Sequence, residues 1–197
     1  IASRTRGELE AVTAEIGDSL DVKVGWMEVD MTNRSQVDEL AQEAVAQLGK
    51  IDILINNAGT NIPESITDIT DESWDQMLEL NLSGCMRLMR ALIPAMKERG
   101  WGRVVNISSI LGLAGKETRN AYCATKSALI GLTEAAALDV GLSNVTVNAI
   151  APGPFLTELP GNLLTNEQKR LFAERTALGR WGDPEELVGP ALMMVSR

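Results

Sequence analysis

The chain has a single tyrosine, Tyr122, with Lys126 four residues after it and Ser109 thirteen before it. On a helix, positions i and i+4 share a face, so the lysine ammonium stands beside the phenol. A free phenol titrates near pH ~10 and is a poor base at neutral pH, but a nearby cation favours the phenolate. Lowering that pKa by about three units takes roughly 4 kcal/mol of differential interaction. A lysine in a partly dry cleft is expected to supply much of it. The Ser109 hydroxyl can hold a substrate oxygen beside the tyrosine. Together the three form a proton-transfer site for an alcohol or a carbonyl.

Composition narrows the alternatives. The 197 residues contain no histidine, which excludes Ser-His-Asp and Cys-His catalysis and most zinc sites, and no metal is expected. Any general base must then be Tyr, Lys, Asp, Glu or Cys. A net charge of −9 argues against nucleic acid as a partner, since phosphate binding needs a basic face. No apolar run is long enough to span a bilayer. Cys85 and Cys123 have no ligand spacing and read as free thiols of a cytoplasmic protein.

Helical and strand patterns alternate along the chain, which indicates an α/β fold with a parallel sheet. Helices are expected over about 5–16, 35–48, 71–98 and 120–140. Strands are expected over about 22–29, 51–55, 103–107 and 145–150. Asn33 and Gln36 suit a capping box at the start of the second helix, and Gly49 suits its stop. The segment 154–183 is expected to lay short helices over a cleft, and a last helix to start after Pro184. No linker or repeat interrupts residues 1–197, so one domain is expected. The four tryptophans read as packing residues.

Four more segments fall at strand ends or on the helices beside them, where open α/β sheets bind ligands. They are Asn56-Asn57-Ala58-Gly59, Asn81 in Leu80-Asn81-Leu82, Asn106-Ile107-Ser108-Ser109, and Pro152-Gly153-Pro154-Phe155-Leu156-Thr157. With the tyrosine and lysine, this set resembles the short-chain dehydrogenase/reductase family, over nearly the whole chain. It is similar in particular to the family's NADP-dependent 3-oxoacyl-acyl-carrier-protein reductases and gluconate 5-dehydrogenase-like members. The resemblance implies a Rossmann-like, doubly wound parallel sheet in three α/β/α layers. It implies hydride transfer between a nicotinamide cofactor and a carbonyl or secondary alcohol.

The resemblance also implies roles. Tyr122 is the general acid/base, Lys126 lowers its pKa and binds the nicotinamide ribose, Ser109 holds the substrate oxygen, and Asn81 anchors a water in a proton relay to Lys126. Asn57, Ala58 and Gly59 shape the cofactor cleft. Asp30 contacts the adenine amino group, with Met31 beside it. Pro152, Gly153, Phe155 and Thr157 hold the carboxamide.

At the turn where NAD-binding folds place an acid on the ribose 2′-hydroxyl, this chain has Ser3 and Arg4, with Arg6 nearby. An arginine fork suits a 2′-phosphate, so NADP is expected over NAD. A 3-oxoacyl thioester competes with a sugar acid, polyol or small ketone as substrate. A catalytically silent binding or scaffold member is the reading from another class. The resemblance implies a homodimer or homotetramer through helices 71–98 and 120–140.

Family members open with a strand and a glycine-rich turn that seats the pyrophosphate, and close with a further strand and tail. Neither segment is read in this sequence. The chain is therefore expected to be an internal fragment, first and last strands missing. The strands at 1–3 and 51–55 would lose a shared neighbour, and the isolated chain is expected to be unstable and to bind cofactor poorly.

Overall fold

The computed structural model describes residues 1–157 and 164–197. Residues 158–163, part of the expected cleft cover, lie outside the described residues. Five parallel strands appear: β1 (Ala2–Ser3), β2 (Met27–Glu28), β3 (Ile53–Asn56), β4 (Gly102–Ile107) and β5 (Val145–Ile150). They are flanked by helices α1 (Arg6–Ser19), α2 (Arg34–Leu48), α3 (Asp71–Leu78), α4 (Gly84–Arg99), α5 (Asn120–Val140), α6 (Asn166–Glu174) and α7 (Val188–Val195). This is the expected Rossmann-like arrangement.

Neighbouring strand residues point to opposite faces. Val104 and Val105 of β4 are both fully buried, so β4 is covered on both sides, as a parallel strand must be. One core cluster joins Val37 and Ala41 of α2, Leu88, Met89 and Leu92 of α4, and Val140 at the end of α5 to Val104, Val145 and Val147 of the strands. The α2 start keeps only half of the expected capping box: the Asn33 side chain accepts from the backbone N–H groups of Ser35 and Gln36, but Gln36 Oε1 accepts from Asp30 N rather than returning to Asn33.

Two expectations change. The strand read over 22–29 shrinks to Met27–Glu28, because its only partner is the two-residue β1, in register Ala2 with Met27 and Ser3 with Glu28. The helix read as continuous over 71–98 is interrupted by a π-helical turn, Glu79–Ser83. On α5, Leu132 and Ala136 pack on the core, whereas Ala128 and Ala135 are exposed.

The sheet is in two pieces, β1-β2 and β3-β4-β5. A cavity of about 790 Å³ runs between them, lined on one side by Ile1 to Arg4 and on the other by Ile53 to Gly59. Ile53 and Ile55, 41% and 51% exposed, face solvent although their residue type and strand position suit a core. Among the described residues β1 pairs only with β2, and β3 only with β4.

Cys85 of α4 is buried, and burial pushes its thiol from the ordinary value of 9.0 to about 11. The unfolded thiol ionises first as pH rises, so Cys85 withdraws stability between pH ~9 and ~11, by up to about 3 kcal/mol. Denaturant melts at pH 8 and pH 11 should show Cys85→Ala losing less stability across that interval than the wild type.

Candidate active site

The register of β3, β4 and β5 pairs Asn56 with Asn106 and Asn106 with Ala149. The carboxyl ends of the three strands therefore stop level, and the loops after them converge. Asn56 and Asn106 do not face the cleft. They are buried in a network in which Asn56 Nδ2 donates to Asn106 Oδ1 (2.8 Å) and Asn106 Nδ2 donates to Thr133 Oγ1 (2.9 Å). This bonds the ends of β3 and β4 to α5. The loops after β4 and β5 are tied together as well: Ser108 N donates to the Ile150 carbonyl and Ile110 N to that of Pro152.

Helix α5 is clamped to the end of β4 around Lys126. Lys126 Nζ donates to the Ile107 carbonyl (2.7 Å), and Ser108 Oγ donates to the Lys126 carbonyl (2.8 Å). Gly112 passes so close that a Cβ there would lie 2.8 Å from the Lys126 carbonyl oxygen. Only a residue without a side chain fits at this crossing.

One cavity of about 460 Å³ gathers Ser109, Tyr122 and Lys126 with Pro152, Gly153, Phe155 and Thr157. Asn57 and Gly59 line both this cavity and the larger one, where Ser3, Arg4, Met31 and Ala58 also lie. The two cavities share Asn57 and Gly59. Asp30 lines neither cavity. Its Oδ1 accepts from the N–H and hydroxyl of Thr32 (2.9 and 2.8 Å), and these bonds, with Arg4 nearby, hold its carboxyl below the usual range.

Asn81 sits in the π turn, fully buried. Its Oδ1 accepts from Thr60 N (2.8 Å), and its Nδ2 donates to the Thr60 carbonyl (2.9 Å) and to Thr125 Oγ1 (3.2 Å). A Cβ at Gly59 would meet Asn81 Oδ1 at 3.2 Å and Lys126 Nζ at 3.4 Å. The cofactor loop, the π turn and the catalytic helix are therefore packed at one point. Asn81's amide is committed to Thr60 and Thr125, so its side chain holds the loop after β3 against α5.

The electrostatics correct another expectation. Burial raises the Tyr122 pKa above the ordinary 10.0; the Ser109 hydroxyl and then Arg119 oppose that rise, while no lowering by Lys126 is resolved. Lys126 is only 4% exposed, and burial pushes its own pKa down. Its ammonium is given to the Ile107 carbonyl, 5.8 Å from Nζ to the Tyr122 ring centre. Three cavity residues had no signal in the sequence beyond their types. Asn61 has a buried Oδ1 without a partner among the described residues. Phe172 and Trp181 stack with ring centres 5.7 Å apart, so Trp181 lines the cavity as well as packing.

The short chain dehydrogenase family profile matches residues 1–168. The chain belongs to the short-chain dehydrogenase family. It is 40% identical over 152 residues to a D-beta-hydroxybutyrate dehydrogenase of Rhizobium meliloti, covering 77% of this chain and 59% of that protein. It is 34% identical to a 3-oxoacyl-[acyl-carrier-protein] reductase of Aquifex aeolicus, covering 100% of this chain and 79% of the relative. Among solved structures it resembles a candidate NAD(P) dependent gluconate 5-dehydrogenase from Beutenbergia cavernae with bound NADP at low occupancy. That match has a TM-score of 0.93 at 33% identity, over 99% of this chain and 78% of the other. Family membership makes the chain an oxidoreductase of CH–OH or carbonyl groups. No helix among the described residues is long and apolar enough to cross a membrane.

Proposed function

We propose that the protein transfers a hydride between NADP(H) and a carbonyl or secondary alcohol, with Tyr122 as general acid/base. The observation that carries this reading is the cavity that gathers Ser109, Tyr122 and Lys126 with Pro152, Gly153, Phe155 and Thr157, bordered by the Asn57 and Gly59 loop, where a Cβ at Gly59 would meet Lys126 Nζ at 3.4 Å. These residues fit a dinucleotide. Ser3 and Arg4 would hold the adenosine end, with Arg4 taking the 2′-phosphate; among the described residues Arg4 makes no ion pair, whereas Arg6 is paired with Glu28. Asn57, Ala58, Gly59 and Lys126 would hold the middle, and Pro152, Gly153, Phe155 and Thr157 the nicotinamide end. Bound there, NADP(H) supplies the hydride.

The protein's own groups do the rest. Ser109 bonds the substrate oxygen and stands against the Tyr122 phenol. The neutral phenol donates its proton to that oxygen on reduction, and the phenolate takes it back on oxidation. Lys126 fixes α5 against β4, so the phenol stays aimed. We also infer a homodimer or homotetramer through α4 and α5, on the exposed Ala128, Ala135 and Leu138 of α5. The free thiols Cys85 and Cys123 support a reducing, cytoplasmic setting.

Cofactor oxidation against a panel of small ketones, 3-oxoacyl thioesters and sugar acids tests the reading. NADPH is expected to be used at least about tenfold better than NADH, and Arg4→Ala to remove most of that preference. Equal use of both cofactors by the wild type overturns the NADP assignment.

A further inference from the structure

We propose that the Ser109–Tyr122 cavity selects a substrate bearing a carboxylate, which Arg119 recognises with Lys116 beside it. The reaction itself rests on the dehydrogenase reading above; the anion site stands on its own observations. The protein carries a net charge of −9. Yet among the described residues this cavity is lined by three cations, Lys116, Arg119 and Lys126, and by no acid.

The three cations differ in what they already hold. Lys126 donates to the Ile107 carbonyl. Lys116 lies 4.5 Å over the Phe172 ring, and its nearest carboxylate, Glu117 at 3.4 Å, is 82% exposed. Arg119 is 9% exposed and has no ion-pair partner among the described residues. Its recorded side-chain bonds run from Nη1 alone, to the Thr118 carbonyl (3.2 Å) and Thr118 Oγ1 (3.0 Å). A guanidinium has five N–H donors in a rigid fork. Stripping it of water without a paired counter-charge is costly; burial pushes its pKa down, opposed by the largely exposed carboxylate of Glu117. A ligand carboxylate accepting two parallel bonds satisfies both the charge and the remaining donors.

The backbone before it is built for placement. Thr118 sits at φ 58°, a conformation that β-branched residues avoid. The turn is held there because Glu64 N donates to the Thr118 carbonyl (3.0 Å) and Asn120 Nδ2 donates to the Glu64 carbonyl (3.0 Å). Strain of this kind persists where the surroundings over-determine it, often at a ligand clamp. The turn precedes Arg119, the N-cap of α5, which stands three residues before Tyr122 and lines the same cavity. A carboxylate on Arg119 and a reacting carbon beside Tyr122 are then a few bonds apart. That geometry fits a short hydroxy or oxo acid, with Phe155, Phe172 and Trp181 enclosing its apolar part.

The competing role for Arg119 is a plain clamp on Thr118. The holoenzyme separates the two when assayed with 3-hydroxybutyrate and with its methyl ester. In the wild type kcat/KM should favour the acid by roughly 100-fold, and Arg119→Gln should collapse that ratio toward one, mainly through KM for the acid. Arg119→Lys should retain part of the ratio, since it keeps the charge without the fork. A second readout needs no turnover: acetate, compared with acetamide at equal ionic strength, should raise the melting temperature of the wild type and not of Arg119→Gln. An unchanged acid-to-ester ratio in Arg119→Gln, or an ester preference in the wild type, overturns the proposal. A variant that melts lower with its ratio intact assigns Arg119 to the clamp. Should neither compound turn over, the dehydrogenase reading fails for them, and the acetate shift alone decides the anion site.

Discussion

Tyr122→Phe is expected to lower kcat by about 10³-fold or more while leaving NADPH affinity within about twofold. The substitution deletes one hydroxyl and keeps the ring that fills the cavity beside Ser109, so packing is preserved. General acid–base groups contribute typically 10²–10⁴-fold, and with no histidine in the chain only the Ser109 hydroxyl, a far weaker acid than a phenol, is left at the substrate oxygen. The pH dependence has a definite sign. Burial holds the phenol above its ordinary 10.0, so at neutral pH it is protonated, the form that reduction needs. Reduction should be flat through neutral pH and decline only as the phenol ionises. Oxidation needs the phenolate and should climb with pH across the alkaline range. Stopped-flow kinetics in both directions, with fluorescence titration of NADPH, check this. A variant retaining a tenth of wild-type turnover would remove Tyr122 from the acid/base role.

Much of this site could be read from residue order, for a physical reason. Parallel strands in register end level, so motifs that follow β3, β4 and β5 must meet, and the three loops do converge. Helix α5 and strand β5 lie where the pattern put them because each is bounded by its own chemistry, Asn120 at one helix end and Gly141 at the other. The failures are equally specific. Val22 and Val24 alternate like a strand, but a strand needs a partner ladder, and β1 offers two residues. The π turn at Glu79–Ser83 has no periodic signature, because one extra residue in a turn scarcely disturbs the apolar stripe. Lys126 was expected to tune the tyrosine from its spacing alone. Spacing put it on the right face, but the free carbonyl of Ile107 claimed its ammonium. Residue order does not show that Arg119 is buried; that follows from the left-handed backbone of Thr118 before it.

Asn81→Ala should cost about 3 kcal/mol of stability and lower the melting temperature by roughly 6–12 °C. The side chain is fully buried and closes both backbone groups of Thr60 while joining Thr125. Removing it leaves the part-buried N–H and carbonyl of Thr60 unpaired, each worth up to about 1–3 kcal/mol. Thr125 keeps a bond, since its hydroxyl also donates to the Tyr122 carbonyl (3.0 Å), so α5 should stay helical and the damage should fall on the Thr60 side. That side carries Asn57, Ala58 and Gly59. The KM for cofactor should therefore rise along with the loss of stability, and kcat should fall less than in Tyr122→Phe. Differential scanning calorimetry and steady-state kinetics on the two variants distinguish a residue that positions from one that reacts. Asn81→Ala should move stability and cofactor binding together, whereas Tyr122→Phe should move turnover alone. If Asn81→Ala melts within a degree of the wild type yet loses turnover as completely as Tyr122→Phe, the amide serves proton transfer and the positioning role fails.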